Sequence, residues 1–98
     1  MDTKLVIDEL IKIKDICQSS KTLDEAINQT DLLIFPENGY SILSYEFVNY
    51  LNNKYSQEFS LSELHSLLPS IVEKLGTHIE PMKTVNNLSF HCYKIFLT

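Results

Sequence analysis

The apolar residues of this chain repeat at the spacing of a helix up to Leu75 and at the spacing of a strand after it. One helical face is formed by Val6, Leu10, Ile13 and Cys17. Near the other end, Leu88, Phe90 and Cys92 alternate with more polar residues. A period near 3.6 residues indicates an amphipathic helix, and a period of two indicates a strand. The spacing therefore predicts an α+β fold that is mostly helical, in one domain of 98 residues.

Helix-capping residues divide the helical part of the chain. The first helix is predicted from Asp2 to about Gln18. Thr22 with Glu25, and Ser60 with Glu63, match the capping box, in which the first side chain of the pair binds a backbone N–H of the second. These pairs predict further helices from Leu23 and from Leu61. The end of the helix at Leu23 stays open, because residues 31–35 suit either a last turn or a short strand.

Two more boundaries follow from the same reasoning. Ser44 is predicted to cap a helix that runs from Tyr45 to about Tyr55. Pro69 disfavours a helical residue before it and suits a helix start. We therefore predict a tight turn at Leu67-Leu68-Pro69 between two short helices, the second of which ends at Gly76.

The C-terminal quarter of the chain predicts a β-hairpin. Its two strands lie within residues 77–85 and 88–97, and Asn86-Asn87 supply the turn. Because proline lacks a backbone donor, Pro81 indicates that the first strand is bent or lies at an edge.

The order of elements from Ser44 to Thr98 resembles that of a winged helix-turn-helix domain. The resemblance leaves residues 1–43 as a helical extension. In DNA-binding members of this family the third helix enters the major groove and the wing touches the backbone. The resemblance would place the candidate nucleic-acid contacts at Lys54, Ser70, Lys74, Lys83, Asn86 and Asn87.

The charge of the chain argues against such DNA binding. Eight basic residues face thirteen acidic ones, for a net charge of -5, and every basic residue is Lys. Arg forms bidentate hydrogen bonds with guanine and with phosphate, whereas Lys acts as a point charge. The predicted third helix also carries Glu73, which repels phosphate. DNA is therefore a disfavoured partner, and another protein is favoured.

The sequence contains no pattern typical of a catalytic, cofactor or metal site. Cys17 and Cys92 lie in apolar runs and are interpreted as buried free thiols, because a secreted disulfide scaffold of this length usually has more cysteines. His65, His78 and His91 lack the spacing of metal ligands. The first residues carry too many charges for a signal peptide or a membrane span, so we expect a cytoplasmic location.

Tyrosines and acids are the remaining candidates for a binding surface. Tyr45, Tyr50 and Glu73 are predicted interface residues, since exposed tyrosine is common at interfaces. Alternatively, the Tyr50 ring covers the rim of the core with its hydroxyl in water, an interpretation preferred for Tyr55. We interpret the acidic residues of the first two predicted helices as a solvated face or, alternatively, as a patch that docks on a basic partner. Glu9 is one of these residues.

The leading hypothesis is a non-enzymatic factor that binds another protein or a second copy of itself. The chain is rich in Lys, Asn and Ile, which suggests an AT-rich coding genome. This composition and the small size would suit a phage or mobile-element protein that regulates or inhibits a host protein. One alternative is a dimeric winged-helix transcriptional regulator. Another is an acidic immunity or antitoxin protein that covers a basic toxin.

Overall fold

The computed structural model of the chain describes residues 2–36, 39–82 and 92–97. This part of the chain is an α+β fold, mostly helical, as predicted. Its elements in chain order are α1 Thr3–Ser19, α2 Leu23–Thr30, β1 Ser41–Leu43, α3 Ser44–Tyr55, α4 Leu61–Leu75, β2 Ile79–Met82 and β3 Cys92–Phe96. None of these helices is both long enough and apolar enough to cross a membrane.

Side-chain caps start three of the helices, and two of these caps, Thr22 and Ser60, are predicted from the sequence. Asp2 accepts a hydrogen bond from the N–H of Lys4 at 3.0 Å at the start of α1. The side chain of Thr22 accepts a hydrogen bond from the N–H of Glu25 at 3.2 Å, and that of Ser60 accepts one from the N–H of Glu63 at 3.0 Å. The predicted cap at Ser44 is wrong: Leu43 occupies that position without a side-chain bond, and Ser44 is the first residue of α3.

The predicted turn at Leu67-Leu68-Pro69 is wrong, because α4 continues through Pro69 to Leu75. A proline inside a helix removes one hydrogen bond and costs about 3 kcal/mol. In α4 the Pro69 ring lies on the exposed face, while Leu64, Leu68 and Ile71 are fully buried on the opposite face. Burial of side chains of this size stabilises by about 1.5–3 kcal/mol each, which outweighs the cost of the proline. Gly76 ends the helix with a φ of 68°, as predicted.

The strands form one antiparallel sheet in the order β1-β3-β2. Pro81 pairs with Tyr93 in the edge strand β2, which confirms the interpretation of Pro81. Strand β1 was not predicted; it forms by pairing with β3, where Ile42 lies opposite Ile95. The predicted turn at Asn86-Asn87 lies outside the described residues.

The core lies where α1, α3 and α4 pack together and where α3 packs against β3. The predicted α1 stripe is confirmed, since Val6, Leu10, Ile13 and Cys17 are all buried. Both cysteines are buried and free, also as predicted. Glu9 is only 1% exposed, so its assignment to a solvated face is wrong.

Candidate interaction cleft between the second and third helices

A cleft separates the C-terminal end of α2 from the outer face of α3, with a volume of about 540 Å³. This α2–α3 cleft is lined by Thr30, Asp31, Tyr45, Glu46, Asn49, Tyr50, Asn53 and Lys54. Ligand-binding clefts of proteins commonly have volumes of about 300–1,000 Å³. Its size therefore allows several side chains of a partner to enter.

The end of α2 forms one wall of the cleft. The Thr30 hydroxyl donates to the carbonyl of Ala26 at 2.9 Å and accepts the N–H of Leu32 at 3.3 Å. Asp31 adopts the left-handed conformation, with φ 57° and ψ 30°, and turns the chain away from the helix axis. Leu33 follows with 47% of its surface exposed. This turn places the acidic side chain of Asp31 in the cleft, opposite residues of α3.

The outer face of α3 forms the opposite wall. Tyr45, Asn49 and Asn53 lie four residues apart and share one face of the helix. Tyr45 is 39% exposed, whereas Phe47, Val48 and Leu51 on the inner face are buried. The division of α3 into an apolar inner face and a polar outer face follows from helical periodicity.

Glu46 carries the least satisfied polar atom of the cleft. The backbone N–H of Leu33 donates to its carboxylate. Its Oε2 atom is buried and has no hydrogen-bond partner among the described residues. Burial raises the pKa of the Glu46 carboxyl; the bond from Leu33 opposes this rise, and the nearby charge of Asp31 adds to it.

A buried carboxylate fixes the far end of the cleft. Glu9 on α1 accepts hydrogen bonds from the Tyr50 hydroxyl at 2.8 Å and from Lys54 Nζ at 2.9 Å and 3.0 Å. The Tyr55 hydroxyl also donates to it. Burial alone would raise the pKa of the Glu9 carboxyl, but the bonds from Tyr55, Lys54 and Tyr50 outweigh it and lower the pKa to about 2. The prediction that the hydroxyls of Tyr50 and Tyr55 lie in water is therefore wrong.

The ion pair with Glu9 also changes the interpretation of Lys54, a candidate nucleic-acid contact. Its hydrogen bond to Glu9 raises the pKa of the Lys54 ammonium, and its charge is compensated by that carboxylate. Lys54 therefore acts first as a link between α3 and α1.

The other predicted site residues lie away from the cleft. Ser70, Glu73 and Lys74 are exposed on α4. Lys74 also lines a second cleft, of about 310 Å³, with Lys14 of α1. The structure thus brings Tyr45, Tyr50 and Lys54 together but not Glu73. Lys83, Asn86 and Asn87 lie outside the described residues.

Ser44 and His65 form a pair with the spacing of a nucleophile and its base. The Oγ of Ser44 lies 2.9 Å from Nε2 of His65. That oxygen also accepts the N–H of Tyr93 at 3.0 Å and lies 3.6 Å from Sγ of Cys92. Ser44 has no exposed surface, so a substrate cannot reach it. The pair joins the start of α3 to α4 and β3. Within residues 2–36, 39–82 and 92–97, no group of three or more His, Cys, Asp or Glu side chains could hold a metal ion.

Sequence reasoning missed Asp31, Glu46 and Asn49 as parts of a site. One signal was present, since Tyr45, Asn49 and Asn53 form a stripe of polar and aromatic residues at helical spacing. The buried Oε2 of Glu46 had no local signal, because its surroundings depend on how α2 packs beside α3.

Compared with known proteins, the chain matches no family model, no curated protein and no solved structure.

Proposed function

We propose that this chain is a non-enzymatic module that binds another protein through the α2–α3 cleft. The cleft carries the proposal, because it combines the exposed ring of Tyr45 with the acidic side chains of Asp31 and Glu46. Protein interfaces combine aromatic and apolar contact area with a few well-placed polar groups. The buried position of Ser44 supports a structural rather than a catalytic role for its contact with His65.

We also propose a winged-helix architecture, in which the three helices of the fold are not the three that the sequence predicts. The element order α1, α2, β1, α3, α4, β2, β3, in which α2 is an addition between α1 and β1, and the sheet order β1-β3-β2 support it. In this assignment α1 is the first of the three helices, α3 and α4 are the second and third, and β2 and β3 form the wing. The turn between the second and third helices then lies at residues 56–60. The two hydrogen bonds between the Asn52 side chain and the backbone of Phe59 support this turn.

The exposed face of α4 favours a protein partner over DNA in this architecture. As the third helix, α4 would be the one that enters the major groove. Its described exposed side chains are Ser62, Glu63, Ser66, Pro69, Ser70, Glu73 and Lys74. Two carboxylates against one ammonium make this face negative, whereas DNA binding depends on neutralising phosphates with Lys and Arg.

Two measurements on the full chain test this function. Fluorescence anisotropy with a labelled mixed-sequence DNA duplex at low salt should detect no binding at tens of micromolar protein, on the order of the weakest non-specific affinities. Affinity capture from the organism that encodes the chain should recover one dominant protein. DNA binding that weakens steeply with salt and is lost in Lys74→Glu would overturn the proposal, as would recovery of background proteins alone.

A further inference from the structure

We propose that the α2–α3 cleft binds an extended segment of the partner protein, and that a Lys or Arg side chain of this segment donates to the Glu46 carboxylate. This inference rests on the proposed function and specifies a positively charged side chain on the partner. The occupant of the cleft is a basic peptide segment of another protein.

The charge of the cleft selects a cation. Asp31 and Glu46 are both acidic and lie close enough for the charge of Asp31 to act on Glu46. The only ammonium that lines the cleft, within the described part of the chain, belongs to Lys54, and Glu9 compensates it at 2.9 Å. The cleft is therefore negative at the end where α2 terminates, and a positively charged side chain complements it.

The Glu46 carboxylate favours a hydrogen-bond donor. Glu46 lines the cleft, and a carboxylate forms its strongest hydrogen bonds with a charged donor. Lys and Arg side chains provide only donors, which matches a carboxylate oxygen, whereas Asp and Glu side chains would add a third negative charge. Burial of the carboxyl raises the pKa of Glu46, and a bound cation would lower it again.

The walls of the cleft suit the rest of such a segment. The exposed ring of Tyr45 can cover the aliphatic stem of a Lys or Arg side chain. The amides of Asn49 and Asn53 have donors and acceptors that can bind a peptide backbone. A volume of about 540 Å³ exceeds the needs of a single side chain, so neighbouring residues of the segment also fit.

A selection from a random heptapeptide library displayed on phage, with the full chain immobilised, tests this inference. The selected peptides should be enriched in Lys or Arg at one position. A synthetic peptide of the selected sequence should bind the chain in isothermal titration calorimetry. Replacement of its basic residue by norleucine, which keeps the stem and removes the charge, should weaken binding about tenfold or more.

Variants of the chain locate the contact. Glu46→Gln should weaken binding of the selected peptide about tenfold or more, because the neutral amide lacks the charge. Glu58→Gln is the matched control, since Glu58 is an exposed carboxylate in the loop between α3 and α4. The Kd of this variant for the selected peptide should stay within about twofold of that of the original chain. Thermal unfolding of both variants verifies that the fold is intact.

Three results would overturn the inference: peptides without a basic residue, basic peptides whose binding Glu46→Gln leaves unchanged, or a dimer of the chain that Glu46→Gln dissociates in sedimentation velocity. Each of these leaves the proposed protein-binding function standing at another surface or with another occupant. Failure of the proposed function itself appears separately, as DNA binding or as the lack of a captured protein partner.

Discussion

The Glu9 carboxylate on α1 accepts a hydrogen bond of 2.8 Å from the Tyr50 hydroxyl on α3, although 41 residues separate them in the chain. Lys54, one turn after Tyr50, binds the same carboxylate. Glu9 therefore joins α1 to α3 and holds the helix that forms the outer wall of the α2–α3 cleft. Three predictions about stability follow from the titratable groups around this helix, and a fourth concerns α4.

Glu9→Gln should lower the free energy of unfolding by about 1–3 kcal/mol, because the hydroxyls and Lys54 lose a charged acceptor. Part of the ion-pair energy is already screened, since Lys54 is 39% exposed. Urea unfolding followed by circular dichroism measures the change. Asp8→Asn, an exposed neighbour on α1, should change stability by less than about 0.5 kcal/mol. Equal effects of the two substitutions would contradict the role of Glu9.

The stability contributed by Glu9 should depend on pH in the acidic range. Its pKa is about 2 in the folded protein, against 4.5 as the usual value. A lowered pKa stabilises the fold above the usual value, and this contribution is lost as the pH falls from 4.5 toward 2. Up to about 3 kcal/mol should disappear across this window. The difference between the original chain and Glu9→Gln should shrink correspondingly in urea titrations at each pH; a constant difference would refute the lowered pKa.

Glu46→Gln should have the opposite effect and stabilise the isolated chain at pH 7 by about 0.5–1 kcal/mol, because it removes a buried charge with an unsatisfied oxygen. The raised pKa of Glu46 means that the folded protein resists ionisation, so this penalty is present above the raised value and vanishes below the usual 4.5. Thermal unfolding at pH 7 and at pH 4 should show a gain only at the higher pH. A loss of stability at pH 7 would show that Glu46 supports the fold.

Pro69→Ala should stabilise the chain by about 1–3 kcal/mol, because it restores a donor inside the continuous helix α4. A turn at Leu67-Leu68-Pro69 would give no such gain, since proline suits the start of a helix. The measurement is again urea unfolding, and the helical signal at 222 nm should stay nearly unchanged, because residue 69 is already helical. An unchanged or lower stability would favour two short helices.

Local chemistry explains which parts of the fold could be predicted from sequence. Thr22 and Ser60 each bind a backbone N–H three residues later, so their capping role is visible in a short stretch of sequence. Pro81 also marked an edge strand correctly, because the missing donor is a property of the residue itself.

Long-range packing explains the errors. Pro69 on its own predicts a break, but burial of Leu68 and Ile71 against the rest of the core keeps α4 continuous. The charge of Glu9 predicts a position in solvent, although Glu9 lies three residues after Val6 and four before Ile13, on the buried face. Its partners on α3 were not identifiable from local sequence. The same holds for the buried oxygen of Glu46 in the cleft.

Site-specific photo-crosslinking tests most directly whether the α2–α3 cleft is the partner-binding face. Benzoylphenylalanine replaces Tyr45 in the cleft in one variant and Ser66 on the exposed face of α4 in the other, and both are irradiated in cells of the source organism. The Tyr45 variant should give one discrete protein adduct, which the additional substitution Glu46→Gln should diminish, and the Ser66 variant should give none. An adduct from position 66 together with none from position 45 would contradict partner binding at the α2–α3 cleft.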